Sequence, residues 1–152
     1  MKLGAVVHIK DSFFDLVEDD TLMSNYENGG YRPHFLCLKD ADDASLIWAI
    51  PISSRVSKYR PILQKKLARF GRCDTIVIDE LCGRDCVYLI QNAFPLKDEY
   101  IDHAHTVGGI EVIIGPTLQK EIETKLRRCI SINRRTGGML FANIARIKDK
   151  LK

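Results

Sequence analysis

The sequence predicts an α+β fold, a small mixed sheet or barrel with peripheral helices, and three observations carry that class. Short β-compatible apolar runs recur along the chain, amphipathic helical stretches fall between and after them, and turn-forming glycines and acids punctuate both. The chain has 152 residues, 45% of them apolar and 28% charged, which is an ordinary globular composition. A domain of this length buries about 70% of the surface that its unfolded chain exposes, so residues 1–152 are expected to form one domain. No internal repeat, low-complexity tract or linker divides them.

Residues 3–9 are a β-rich run, and Asp11-Ser12 ahead of Phe13, Phe14, Leu16 and Val17 predicts a short capped helix. Residues 19–31 are acidic, lack periodicity and end in Asn28-Gly29-Gly30, which predicts a loop of about a dozen residues, a length at which loops are often functional. Residues 34–38 and 46–52 are two apolar runs separated by the acidic stretch 39–44, the pattern of a hairpin. Antiparallel pairing then sets Tyr31-Arg32-Pro33 beside Ser53-Ser54-Arg55.

Over residues 58–70, Ile62, Leu63, Leu67 and Phe70 fall at helical spacing, with Pro61 expected in the first turn and Gly71 as the stop. Residues 75–78, 86–90 and 110–114 read as further strands, the last following a Gly108-Gly109 turn. From Thr117, the apolar positions Leu118, Ile122, Leu126, Cys129 and Ile130 predict a helix ending before Gly137-Gly138, and residues 141–151 read as a last, basic helix.

The net charge of +3 conceals an asymmetry: residues 1–50 hold four Lys or Arg against nine Asp or Glu, leaving nineteen against eleven beyond. Residues 55–72 contain seven cations, Arg55, Lys58, Arg60, Lys65, Lys66, Arg69 and Arg72, and no acid. A helix face that needs only solubility usually interleaves Glu with Lys, so this run reads as a polyanion surface, with a solvated amphipathic face as the alternative. The run from Met1 to His8 meets Lys10-Asp11-Ser12 before a signal-peptide core or a spanning helix is complete, so neither export nor membrane insertion is expected. Five cysteines, an odd number lying partly in apolar runs, fit small hydrophobes in a reducing cytoplasm.

Cutting RNA without a metal asks for three things: a proton taken from the 2′-hydroxyl, charge stabilised on the phosphorane, and a proton given to the leaving 5′-oxygen. Histidine moves protons near neutrality, guanidinium pairs with phosphoryl oxygens, and serine hydroxyls hold phosphate. Arg32, His34, Ser53, Ser54 and Arg55 offer that set at one hairpin mouth. The plainer alternative is a structural histidine, with Ser54 or Ser57 merely capping the helix that follows. Tyr26, Tyr31, Trp48 and Tyr59 flank the mouth, where exposed rings stack on unpaired bases, although Trp48 sits in an apolar run and is expected in the core. His103-Ala104-His105 and the cysteines lack the spacing of a zinc site, and the paired glycines lack the lysine of a phosphate-cradling loop.

The segments Tyr31-Arg32-Pro33-His34-Phe35-Leu36 and Trp48-Ala49-Ile50-Pro51-Ile52-Ser53-Ser54, followed by Lys58-Tyr59, resemble the ToxN/AbiQ/CptN toxins of type III toxin-antitoxin systems, most specifically over residues 5–60. The resemblance implies a small antiparallel SH3-like β-barrel of the MazF/Kid/PemK kind. It implies a metal-independent endoribonuclease, without cofactor, that leaves 2′,3′-cyclic phosphate ends. The implied partners are cellular RNA substrates and a small structured RNA antitoxin, a pseudoknot processed from a repeat precursor, in a closed protein–RNA assembly, with no DNA and no membrane. On this reading Arg32, His34, Ser53 and Ser54 are the catalytic candidates, His34 standing where the family more often has an aromatic. Tyr31, Arg55, Lys58, Tyr59, Arg60, Lys65, Lys66 and Arg69 are the RNA contacts. A non-catalytic RNA-binding barrel and a protein-interaction domain with a basic face are the competing functions.

Overall fold

The structure, a computed structural model, describes residues 3–152; Met1 and Lys2, which begin the N-terminal run read for export, lie outside them. In chain order the elements are β1 (Val6–Ile9), α1 (Asp11–Val17), β2 (Tyr26–Glu27), β3 (Gly30–Tyr31), β4 (His34–Lys39), β5 (Leu46–Ser53) and α2 (Val56–Phe70). There follow β6 (Ile76–Leu81), β7 (Arg84–Leu89), β8 (Phe94–Lys97), β9 (Ile101–Ala104), β10 (Thr106–Val107), β11 (Ile110–Glu111), α3 (Pro116–Thr136) and α4 (Ile144–Lys150). Among the described residues no helix is long and apolar enough to cross a membrane.

One antiparallel sheet runs β6-β7-β5-β4-β1-β9, and β8 joins it by pairing with β5. The predicted hairpin is its centre, with His34 opposite Pro51 and Phe35 opposite Ile50. Along its other edge β5 changes partner: Leu46 to Ala49 pair with β8, and Ile52 and Ser53 pair with β7. The sheet therefore forks where a barrel would roll, and among the described residues its outer strands β6 and β9 do not pair. An open antiparallel sheet stands in place of the closed barrel that the resemblance implies, because closure requires the last strand to return to the first.

Alternation along the central strands sends side chains to two cores, and a third, smaller cluster of Ile76, Val87 and Leu89 lies under α2. One holds Val6, Phe35, Trp48, Ile50, Ile52 and Tyr88 under Ile122, Leu126 and Cys129 of α3. On the opposite face Val7, Leu36, Ala49, Phe94 and Leu96 meet Phe13 and Val17 of α1 and Ile147 of α4. Each fully buried apolar side chain contributes about 1.5–3 kcal/mol, so these faces fix the register of the central hairpin. Trp48 is in the core as expected, 1% exposed, and its indole N–H donates to Asp40 Oδ1 at 2.9 Å. Cys37, Cys73, Cys86 and Cys129 are buried and Cys82 is exposed; burial pushes the Cys37 thiol up to about 12.

Several boundaries differ from the sequence reading. Helix α2 begins at Val56, so Pro61 lies in its interior and removes one backbone donor. Helix α1 is capped by Lys10 without a side-chain bond, while the Asp11 carboxylate accepts from the Tyr26 hydroxyl and from Asn25 Nδ2. Within the predicted loop 19–31 lies the short β2–β3 hairpin, and the strand predicted over residues 110–114 shrinks to β11 and a single bridge from Ile113 to Ala5.

Candidate functional site

Turn chemistry builds the mouth. Asn28 and Gly29 take φ of 55° and 80°, so the left-handed region occupies both central positions of the two-residue β2–β3 turn. Tyr26 pairs with Tyr31 and Glu27 with Gly30, and alternation places Glu27 on the face opposite the tyrosines. That face lies over the outer end of the β4–β5 hairpin.

Four donors converge there on the Glu27 carboxylate: Arg32 Nη1 at 2.7 Å, Ser53 Oγ at 2.9 Å, the Ser54 backbone N–H at 2.7 Å and Ser54 Oγ at 2.6 Å. Burial alone would raise the Glu27 pKa, but the Ser54 and Ser53 hydrogen bonds and the Arg32 charge outweigh it and hold the carboxyl below its ordinary value. Arg32 is 5% exposed and also donates to the Ser24 and Ile52 carbonyls at 2.8 and 3.1 Å. Asn28 Nδ2 donates to Ser54 Oγ at 2.9 Å, and Ser53 Oγ accepts from the Arg55 N–H at 3.2 Å. The N-cap of α2 is Arg55 with no side-chain cap, so neither Ser54 nor Ser57 caps that helix.

His34 faces inward. It is 1% exposed, lies between the rings of Phe94 and Phe14 with centroids at 5.6 and 6.3 Å, and its Nδ1–H donates to the Arg32 carbonyl at 3.0 Å. Burial lowers its pKa to about 3, with the Arg32 and His8 charges acting the same way, so the ring is neutral at physiological pH. The sequence set it at the mouth; the strand alternation that gives Phe35 to one core gives His34 to the other.

On the tyrosine side of the hairpin lies a histidine group. His8 of β1 pairs in register with His103 of β9; their rings stack with centroids 4.7 Å apart, and His8 Nε2 shares a hydrogen bond with His105 Nδ1 at 2.8 Å. Tyr31 meets His8 edge-on at 6.2 Å and Tyr26 at 5.0 Å, giving a row of rings with exposed members Tyr26, Tyr31 and His103. Among the described residues no group of His, Cys, Asp or Glu converges so as to hold a metal ion.

Helix α2 has no fully buried residue. Arg55, Lys58, Lys65 and Arg69 are exposed with no ion pair among the described residues, whereas Arg60 pairs with Asp85 at 3.6 Å and Arg72 with Asp74 at 3.5 Å. Lys66 donates to Thr75 Oγ1 at 2.7 Å, and half-buried Tyr59 packs on the β6–β7 side with Lys58 over its ring. Two of the seven cations thus meet acids just beyond the run, Arg72 in the nearby Asp74 and Arg60 in Asp85 of β7.

Sequence reasoning missed Glu27, Asn28 and His8. The Asn28-Gly29 pair was the one signal for the first two, since it favours a two-residue hairpin and alternation then orients Glu27. No local signal marks His8, whose histidine neighbours arrive from about a hundred residues away in the chain.

No protein-family model matches the sequence, and no curated protein matches it. Solved structures do match. The lactococcal anti-phage endoribonuclease AbiQ of the type III toxin-antitoxin system aligns over 97% of this chain and 94% of its own, with a TM-score of 0.73 at 13% identity. A structure describing regulation of a bacterial antiviral system by a processed non-coding RNA aligns over 97% and 96%, with a TM-score of 0.70 at 9% identity. Another, describing selective inhibition of a bacterial type III toxin by a non-coding RNA pseudoknot, aligns over 99% and 96%, with a TM-score of 0.70 at 12% identity. Over nearly its whole length, the chain has the fold of the ToxN/AbiQ proteins of type III toxin-antitoxin systems.

Proposed function

We propose that this protein is a metal-independent endoribonuclease toxin. It cuts RNA by attack of the 2′-hydroxyl, leaves 2′,3′-cyclic phosphate ends, and is held inactive by a small structured RNA that it processes from a repeat precursor. The observation that carries this reading is the convergence of Arg32 Nη1, Ser53 Oγ, Ser54 Oγ and the Ser54 N–H on one carboxylate. Donors so arranged form an anion site, and a phosphodiester oxygen can use them in place of Glu27. Arg32, Ser53 and Ser54 then hold the scissile phosphate, while buried His34 acts as a positioning residue by bonding the Arg32 carbonyl.

RNA leads to that site along α2, where Arg55, Lys58, Lys65 and Arg69 contact phosphates and Arg60 and Lys66 line the same helix. Tyr31 and Tyr59 stack on bases. The toxin–RNA assembly is cytoplasmic. The whole-chain fold shared with an anti-phage endoribonuclease and with RNA-regulated bacterial proteins supports both the activity and the RNA partner. Expression without its RNA should arrest the growth of a bacterial host, and Ser54→Ala should restore it; in vitro cutting should survive a chelator. Normal growth with the wild-type protein would count decisively against the reading.

The burial of His34 favours a second reading, a non-catalytic RNA-binding domain, because it removes the expected proton carrier from the mouth. That reading requires RNA to be retained and recovered uncut.

A further inference from the structure

With His34 enclosed and neutral, the mouth has no histidine to take the 2′-hydroxyl proton, but it does hold a carboxylate. Glu27 lies 2.6 Å from Ser54 Oγ and 2.9 Å from Ser53 Oγ, so a phosphate bound to those hydroxyls sits against the same carboxylate. In the structure as it stands Glu27 has no vacant acceptor position. Oε1 takes the Ser54 N–H and hydroxyl, and Oε2 takes the Ser53 hydroxyl and Arg32 Nη1, which together fill the roughly four lone-pair sites of a carboxylate. A phosphate changes that. When Ser53 and Ser54 turn their hydroxyl protons to it, one position falls vacant on each Glu27 oxygen, while the Arg32 and Ser54 N–H bonds stay. Arg32 bonds Glu27, Ile52 and Ser24 through Nη1 and Nε, and its Nη2 makes no protein hydrogen bond among the described residues, so Nη2 can hold a phosphoryl oxygen without releasing Glu27. The same exchange strengthens the base. Burial by itself raises the Glu27 pKa and the serine hydrogen bonds lower it, so passing the serine protons to a phosphate removes much of the lowering and sets a second negative charge beside the carboxylate.

We propose that Glu27 is the general base of the RNA-cutting site, taking the 2′-hydroxyl proton at a position the serines vacate, and that Ser54 is the acid that protonates the leaving 5′-oxygen. This rests on the RNA-cutting reading above. As the bond from the 2′-oxygen to phosphorus forms, the 2′-hydroxyl proton passes to Glu27. As the bond from phosphorus to the 5′-oxygen breaks, Ser54 Oγ gives its proton to that oxygen and takes the one held by Glu27 across their 2.6 Å contact. The hydrogen bond between the two side chains reverses direction in the process. Asn28 Nδ2, which donates to Ser54 Oγ at 2.9 Å, keeps that hydroxyl oriented and steadies the negative charge it gains as its proton leaves. The products are a 2′,3′-cyclic phosphate and a 5′-hydroxyl, and both side chains end as they began.

The test measures single-turnover cutting and retention of a random-sequence single-stranded RNA by the full-length wild type, Glu27→Gln, Glu27→Asp and Ser54→Ala. Glutamine cannot take the proton, so Glu27→Gln should cut about 100-fold more slowly or worse, the usual contribution of a positioned acid–base group. It should retain RNA as well as the wild type or better. Glu27→Asp keeps the charge one methylene short and should cut at a rate between the two. A carboxylate that only fills the empty anion site predicts the reverse, with Glu27→Gln cutting faster, so undiminished cutting by that variant overturns the proposal. A loss of cutting matched by an equal loss of retention overturns it too. If Glu27→Gln does not fold, Glu27→Asp decides by the same two measures. If the wild type itself cuts no RNA, the function is wrong and this role falls with it; if wild type cuts and Ser54→Ala fails while Glu27→Gln does not, only the role of Glu27 is lost.

Discussion

Glu27 carries two opposed consequences, because its carboxylate both completes the buried Arg32 ion pair and occupies the donors that a phosphate needs. The pair is 2.7 Å apart with side chains 6% and 10% exposed. Glu27→Ala leaves the guanidinium buried and uncompensated, a change that costs about 3–5 kcal/mol and should show as a clear drop in thermal midpoint. Glu27→Gln keeps the shape and removes the competing charge, so RNA retention should rise even as stability falls; weaker retention would argue against the anion site. The pH dependence follows from the lowered pKa of Glu27. Its stabilisation is complete above the unfolded value near 4.5 and is lost as pH falls through the lower folded value. Acid unfolding of the wild type should therefore be steeper in that window than that of Glu27→Gln.

The β2–β3 hairpin brings Glu27 to its donors through a turn that only a residue without a Cβ adopts freely at Gly29. A Cβ at Gly29 meets nothing within 4 Å, so Gly29→Ala should cost only the left-handed backbone strain of about 1–2 kcal/mol. Hydrogen exchange should report it locally, at the Arg32 N–H that bonds the Asn25 carbonyl, with the β4–β5 amides unaffected. The central hairpin was legible because each of its two apolar runs supplies side chains to both cores and its acids force the turn. Strand β8 was not: Pro95 argues against a strand, yet it is tolerated opposite Trp48 where β8 pairs with β5 alone. Ser53, Ser54 and Arg32 converge as their hairpin positions foretold. The inward turn of His34 depends on which face each core claims, which the sequence of one strand does not state.

At the scale of the molecule, α2 presents four exposed cations without ion pairs among the described residues, while Asp11, Asp15, Asp19 and Asp20 gather around a cleft of about 570 Å³ beside α1. RNA retention should weaken steeply with salt. Replacing Lys58, Lys65 and Arg69 with Gln should reduce the slope of log affinity against log salt by about 2, from roughly 0.7 per phosphate contact on a single strand. An unchanged slope would remove α2 from the RNA path. Strand β5 matters at this scale too, being bound along one edge to β4 and along the other to β8 and then β7. Adding or deleting one residue within it would shift three ladders together and turn each following side chain to the opposite face. Natural variation in chain length should therefore collect in the exposed acidic turn at residues 41–45 and spare residues 46–53, so the two serines keep a fixed distance, counted in residues, from Trp48 in every working relative.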